Sequence, residues 1–195
     1  MIKKMMCGLA LMGCALSSQA AVQGFDWSYT GFLPSIWSES QPQPQYGQFD
    51  PSRQYKGRFF AEDRDLNGVF SLAEVTSFTI AGQSFLNCTG RPVCSLSAFS
   101  YTPGGALTFD AYQNYTYGSP GEGWESRSYI YVAADRFWTT QQNDWSHTGA
   151  SGSNFDFTAQ TKFAISAVPE PQTWLMLGAG IALLGAVKRR RALNA

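Results

Sequence analysis

Residues 96–112 read LSAFSYTPGGALTFDAY. Leu107, Phe109 and Ala111 alternate with polar residues, the two-residue period of a half-buried strand. Between the arms lies Thr102-Pro103-Gly104-Gly105, where Pro presets one turn dihedral and Gly supplies a positive φ. The stretch predicts a β-hairpin joining LSAFSY to ALTFDAY. The same period recurs outward from it at Phe25, Trp27 and Tyr29, at Phe78 and Ile80, at Tyr129 and Tyr131, at Phe155 and Phe157, and at Phe163 and Ile165. No 12-residue stretch in this part sustains helical periodicity. The pattern predicts eight to ten short strands in an all-β fold, a single jelly-roll-like β-sandwich. Two segments break it. Residues 34–54, rich in Pro, Gln and Ser, are expected to form a surface loop, and Tyr112–Trp124 a second irregular segment.

The chain has 195 residues, one domain's worth, with 14 basic and 14 acidic residues. Lys3, Lys4, Lys188, Arg189, Arg190 and Arg191 sit at its ends, leaving 8 basic against 13 acidic residues between them once Glu170 is also set aside. A mildly acidic domain lacks the basic face that neutralises phosphates, so nucleic acid is not expected as a partner. Residues 22–168 hold five of the six Trp and all nine Tyr and 14 Phe, with little Leu, a composition favouring strands.

Residues 1–21 have a charged start, an apolar stretch and small residues at Ser18 and Ala20, the layout of a signal peptide cut by signal peptidase after Ala20 or Ala21. A second reading takes Leu11-Met12-Gly13-Cys14 as a lipobox with Cys14 lipidated. The last 28 residues, VPEPQTWLMLGAGIALLGAVKRRRALNA, carry three parts in order. Pro169 and Pro171 enforce extended backbone around Glu170. Residues 174–187 are apolar throughout, about 21 Å as a helix against a hydrocarbon core of roughly 30 Å. Lys188, Arg189, Arg190 and Arg191 then form a stop that stays cytoplasmic under the positive-inside rule.

Val168-Pro169-Glu170-Pro171, the short Gly-rich apolar segment and the Arg cluster resemble the PEP-CTERM sorting signal. The resemblance implies recognition of the VPEP residues by exosortase, a membrane-embedded cysteine protease-transpeptidase. It also implies an inner-membrane intermediate held by the C-terminal helix, followed by release to the cell surface or matrix of a Gram-negative, polysaccharide-producing bacterium. The organisation expected is a signal peptide over 1–21, a β-sandwich over 22–167 and a sorting tail over 168–195.

Cys88 and Cys94 are the cysteines left after the leader, and an oxidising compartment predicts a disulfide between them. Asp63, Asp65, Asn67, Gly68 and Glu74 fit D-x-[DN]-x-[DN]-G-x5-E, which resembles an EF-hand calcium loop. The resemblance implies side-chain oxygens from Asp63, Asp65 and Asn67, the Val69 carbonyl, a water-mediated contact from Ser71 and both carboxylate oxygens of Glu74. GRFFA and VTSFTI flank the loop with strand-like rather than helical sequence, so the loop is expected inside a β-hairpin connection. The alternative is an Asx-rich turn whose side chains cap backbone amides.

Catalytic patterns are weak. His147 lies in a Gly-Ser stretch, no G-x-S-x-G occurs, and Glu122 with Glu125 is the carboxylate pair that a glycoside hydrolase would need. The expected role is a non-catalytic structural protein associated with exopolysaccharide. The alternative is a carbohydrate-binding or adhesin module whose platform is Tyr115, Tyr117 and Trp124, with Trp37, Tyr112 and Trp138 as further aromatic candidates.

Overall fold

The computed structural model describes residues 21–88, 90, 92–118, 123–143, 149–169, 178 and 181. Among the described residues twelve strands follow in order: β1 (Gln23–Ser38), β2 (Gln41–Tyr46), β3 (Asp50–Ala61), β4 (Phe70–Ser71), β5 (Val75–Ile80), β6 (Gln83–Ser84), β7 (Val93–Tyr101), β8 (Leu107–Gly118), β9 (Trp124–Val132), β10 (Arg136–Asn143), β11 (Gly149–Asp156) and β12 (Lys162–Val168). All pairings are antiparallel. The predicted hairpin is β7–β8, with Phe99 opposite Phe109 and Tyr101 opposite Leu107. Its turn closes through Gly105 N–H donating to the Thr102 carbonyl at 2.8 Å, and Gly104 has φ +81°.

Hydrogen bonding joins the strands into one sheet that folds over on itself at β1. The first half of β1 pairs with β12 and β3, and β3 continues to β5 and β6. The second half pairs with β2 and β11, and from there β10, β9, β8, β7 and β4 follow. The bend falls at Gly31, where φ is +88° and the β1–β3 register shifts between Thr30 and Phe32. The result is a β-sandwich of two layers, called here the β12–β6 layer and the β2–β4 layer.

The layers meet through aromatic rings. Phe25 contacts Tyr101 at 5.1 Å, Trp27 contacts Phe109 at 5.1 Å, Phe59 contacts Phe99 at 4.9 Å and Tyr29 contacts Phe137 at 6.0 Å between centroids. Phe32, Phe59, Phe78 and Phe137 have no solvent exposure, so the alternating aromatics of the sequence form the core, and each gains about 1.5–3 kcal/mol from burial.

Two expectations are corrected. Residues 34–54 are mostly strand: β1 runs to Ser38, β2 spans Gln41–Tyr46, and β3 begins at Asp50. Pro42 and Pro44 fit because β2 is wholly exposed and pairs only with β1, and an edge strand tolerates a residue without an N–H. Residues 112–118 likewise continue β8, paired in unbroken register with β9 as far as Gly118 opposite Trp124.

Gly57 pairs with Trp27, and a Cβ there would lie 2.0 Å from the Thr79 carbonyl oxygen and 2.5 Å from the indole. The carbonyl belongs to the neighbouring strand and cannot turn aside. Gly57→Ala is therefore expected to destabilise the fold by about 2 kcal/mol or more, read as a lower denaturant midpoint at unchanged slope.

The Tyr29 hydroxyl crosses the sandwich to donate to the Leu107 carbonyl at 2.8 Å, and burial pushes its pKa up to about 12. The unfolded chain loses this proton near pH 10 while the folded chain keeps it. The stabilisation is thus complete below pH 10 and is lost as pH rises toward 12, about 2–3 kcal/mol in all. Tyr29→Phe should flatten the alkaline limb of a stability-versus-pH curve; a limb of unchanged steepness would show that another group sets it.

Candidate functional site

Three features are placed by this frame: the sorting motif, the acidic loop and the tyrosines. The motif begins where the fold ends. Val168 closes β12 opposite Gly24, one residue into β1, so the beginning of the sandwich and the start of the tail are neighbours. Pro169 has no N–H with which to extend the ladder, and the described chain stops there apart from Gly178 and Ile181, both helical. Glu170, Pro171, the rest of segment 174–187 and the basic residues 188–191 lie outside the described residues, as do residues 1–20 with Cys14. Among the described residues no helix is long and apolar enough to cross a membrane.

The acidic loop joins β3 to β5, which pair as an antiparallel hairpin with Ala61 opposite Val75. On the way it visits the other layer, where β4 pairs with the end of β7, and it returns through a 3-10 turn over Leu72–Glu74. The flanks are strands, as expected from their β-branched and aromatic residues. Gly68 has φ +77° with nothing within 4 Å of a would-be Cβ, so the turn itself, not crowding, requires glycine here.

The loop's side chains fold inward. Asp63 accepts from the Asn67 and Gly68 amides, both at 3.0 Å, Asp65 accepts from the Asn67 amide at 3.2 Å and its side-chain amide at 2.8 Å, and Asn67 Oδ1 accepts from the Val69 amide at 2.6 Å. Glu74 is buried, and accepts from the Ser71 amide at 2.9 Å, the Ser71 hydroxyl at 2.8 Å and the Arg64 amide at 2.8 Å. These bonds, the Ser71 amide foremost, hold its carboxyl down at about pKa 2. Carboxylate oxygens of Asp63, Asp65 and Glu74 come within 4.8 Å of one another. Ser71, expected to reach a cation through water, instead donates to Glu74. The amide-capping turn and the gathered oxygens coexist: the three carboxylates are hard oxygen donors of the kind calcium takes.

The disulfide Cys88–Cys94 is formed, with Cα atoms 5.8 Å apart. It pins the segment after β6 to the start of β7, beside Gln113 of β8.

The expected platform is divided by the pleat. Tyr115 and Tyr117 share the inner face of β8 with parallel rings 6.5 Å apart, whereas Trp124 is opposite Gly118 and so takes the other face, while Glu125 opposes Tyr117. Trp124 leaves the platform for this reason. Tyr112, Trp37 and Trp138 also belong to the outer face of the β2–β4 layer, where Trp37 and Trp138 border a depression closed by Pro42 and Pro44. What joins Tyr115 and Tyr117 instead is Arg127, Tyr129 and Gln83, around a groove of about 300 Å³. The signal was present in the alternation Glu125, Arg127, Tyr129, Tyr131, which matches β8 residue by residue once the register is known. Glu125 is tied to the Arg127 guanidinium, and Glu122 and His147 lie outside the described residues.

Residues 167–191 match the PEP-CTERM protein-sorting motif. The chain carries an exosortase sorting signal. No curated protein and no solved structure matches it. The motif implies export, a membrane-anchored intermediate and exosortase as processing partner. The match begins one residue before Val168, so the PEP-CTERM signal overlaps the last turn of the β12 ladder by two residues.

Proposed function

We propose that this PEP-CTERM chain is a non-catalytic component of a cell surface or extracellular matrix, retained among exopolysaccharide, with one calcium ion bracing its acidic loop. The observation that carries the delivery half of this reading is the abutment of the sorting motif on β12. Phe163 and Ile165 of that strand pack against the core, so a cut inside β12 would strip an edge strand from β1. A cut just beyond it releases an intact sandwich. Support for the calcium half comes from the convergence of Asp63, Asp65 and Glu74. In this reading the ion offsets the repulsion between carboxylates and ties β3, β4 and β5 together at the end of the sandwich where the tail leaves.

Intact-mass analysis of the protein from its native host, with and without exosortase, tests the delivery. The expected mature form ends at Val168 or Pro169 in the wild type and retains the tail in the exosortase-free strain. A tail retained in both, or a terminus inside β12, overturns the proposal.

Calcium titration of the full-length chain tests the loop. Saturable binding between about 0.1 and 1 mM is expected, typical of extracellular sites. At ten times the dissociation constant the ion adds about 1.4 kcal/mol of stability, a rise of a few degrees in Tm. Asp63→Asn combined with Asp65→Asn should abolish both effects; binding that survives the double substitution places calcium elsewhere.

A further inference from the structure

The inner face of the β2–β4 layer is longer than the layer that covers it. β8 has 12 residues, whereas β5 ends at Ile80 and β6 has only two residues. Inward-facing positions of β8 change along its length: Leu107, Phe109 and Ala111 are buried under the opposite layer, Gln113 sits at the border, and Tyr115 and Tyr117 lie beyond it. β9 runs beside it with the same gradation, from buried Tyr131 through Tyr129 to Arg127. Apolar rings give way to rings with a hydroxyl where the cover ends, the residue type that offers a flat apolar face and a polar rim together.

We infer that this uncovered face is a binding groove for a neutral, linear polysaccharide chain. Two open cavities of about 300 and 430 Å³ adjoin at Arg127 and Tyr129, which border both, and follow the inner-face positions from Tyr117 across β9, β10 and β11 to Ile36. An open channel suits a chain better than a small molecule enclosed on all sides. The tyrosine faces match the C–H face of an equatorially substituted pyranose. Gln83 at one end and Thr139 and Ser153 at the other supply amide and hydroxyl partners for sugar hydroxyls. Charge selects the class: among the described residues the cation lining the two cavities, Arg127, is already neutralised by Glu125, which leaves no uncompensated positive group there for a uronic acid or sulfate.

The channel is also built to keep its shape. Tyr115 donates to Gln83 Oε1 at 3.2 Å and stands edge-on to Tyr129 at 6.0 Å, while Gln113 Nε2 donates to the Ser84 carbonyl at 3.4 Å. The wall carrying Gln83 and Phe85 is the segment held by the Cys88–Cys94 disulfide. Tyr117, by contrast, is 57% exposed, so its ring is available to a ligand and not needed by the core. This inference rests on the proposed surface delivery only for where the glycan is met.

Calorimetric titration of the full-length protein with cellohexaose tests it, with cellobiose and oligoalginate as comparators. Saturable binding is expected, tighter for the hexamer than for the dimer. Tyr117→Ala should weaken it at least tenfold, and Ile36→Ser, at the far end and itself 61% exposed, should weaken the hexamer alone. Trp124→Ala, on the opposite face, should leave affinity unchanged. Absence of saturable binding, indifference to both groove variants at an unchanged Tm, an equal loss in Trp124→Ala, or preference for oligoalginate overturns the inference. The titration uses purified protein, so its failure leaves tail processing untouched, and a failure of processing leaves the titration untouched.

Discussion

One strand belongs to both layers, and the rest of the molecule depends on that. β1 pairs with β12 and β3 along its first half and with β2 and β11 along its second. Its backbone hydrogen bonds therefore hold the two layers in one continuous sheet, and the bend between them has to occur within the strand. Gly31 makes this feasible, because φ +88° is strained for any residue with a Cβ, and a Cβ there would also lie 2.7 Å from the Phe49 ring. The Thr161 hydroxyl donates to the Gly31 carbonyl at 2.7 Å, so the group exposed by the bend is satisfied. Phe25, Trp27 and Tyr29 before the bend and Phe32 after it all enter the core, which lets a single strand set the spacing of both layers.

A core made so largely of rings constrains what can surround it. Phe137 has no exposure and contacts the rings of Tyr29, Phe32, Tyr55, Phe109, Tyr131 and Phe157. Rings in such clusters settle into edge-to-face and offset arrangements that fix their neighbours' orientation, adding to the non-directional gain from burial. Along β9 the same face continues outward from Tyr131 to Tyr129, whose ring stands edge-on to Tyr115 of the groove. Arg53 stacks over Phe155 at 4.2 Å and over Tyr55 at 5.3 Å, capping the other side of the same cluster with an aliphatic stem and a cation.

Much of this was legible in the sequence where one residue type has one structural meaning. Pro103-Gly104 fixes a turn, and the alternation about it identified β7 and β8. The strands at 34–54 were not legible because Pro, Gln and Ser describe an exposed edge strand as well as a loop; what distinguishes β2 and the start of β3 is pairing to β1, which composition does not show. Face assignment failed at Trp124 for a related reason. Period two fixes which residues of one strand share a face, but the phase between β8 and β9 depends on the length and path of the turn, and a shift of one residue exchanges Trp124 for Glu125. The acidic loop was readable as a pattern because its spacing is local. That Glu74 would be buried at the corner between layers, accepting from Ser71 and Arg64, depends on β4 reaching across to β7.

The same geometry separates attachment from recognition. Val168 and Gly24 adjoin Phe25, which touches Tyr101 and Phe70 near the Leu107 end of β8, and the acidic loop closes that end between Ala61 and Val75. Tyr117 is ten residues farther along β8, about 30 Å at the rise of an extended strand. A tail leaving at the first end and a groove opening at the second do not compete for space, so the sandwich can present Tyr115 and Tyr117 both while it is anchored and after release. The two stabilising devices follow this division. The acidic loop closes the end from which the tail leaves, and the disulfide holds the wall of the groove.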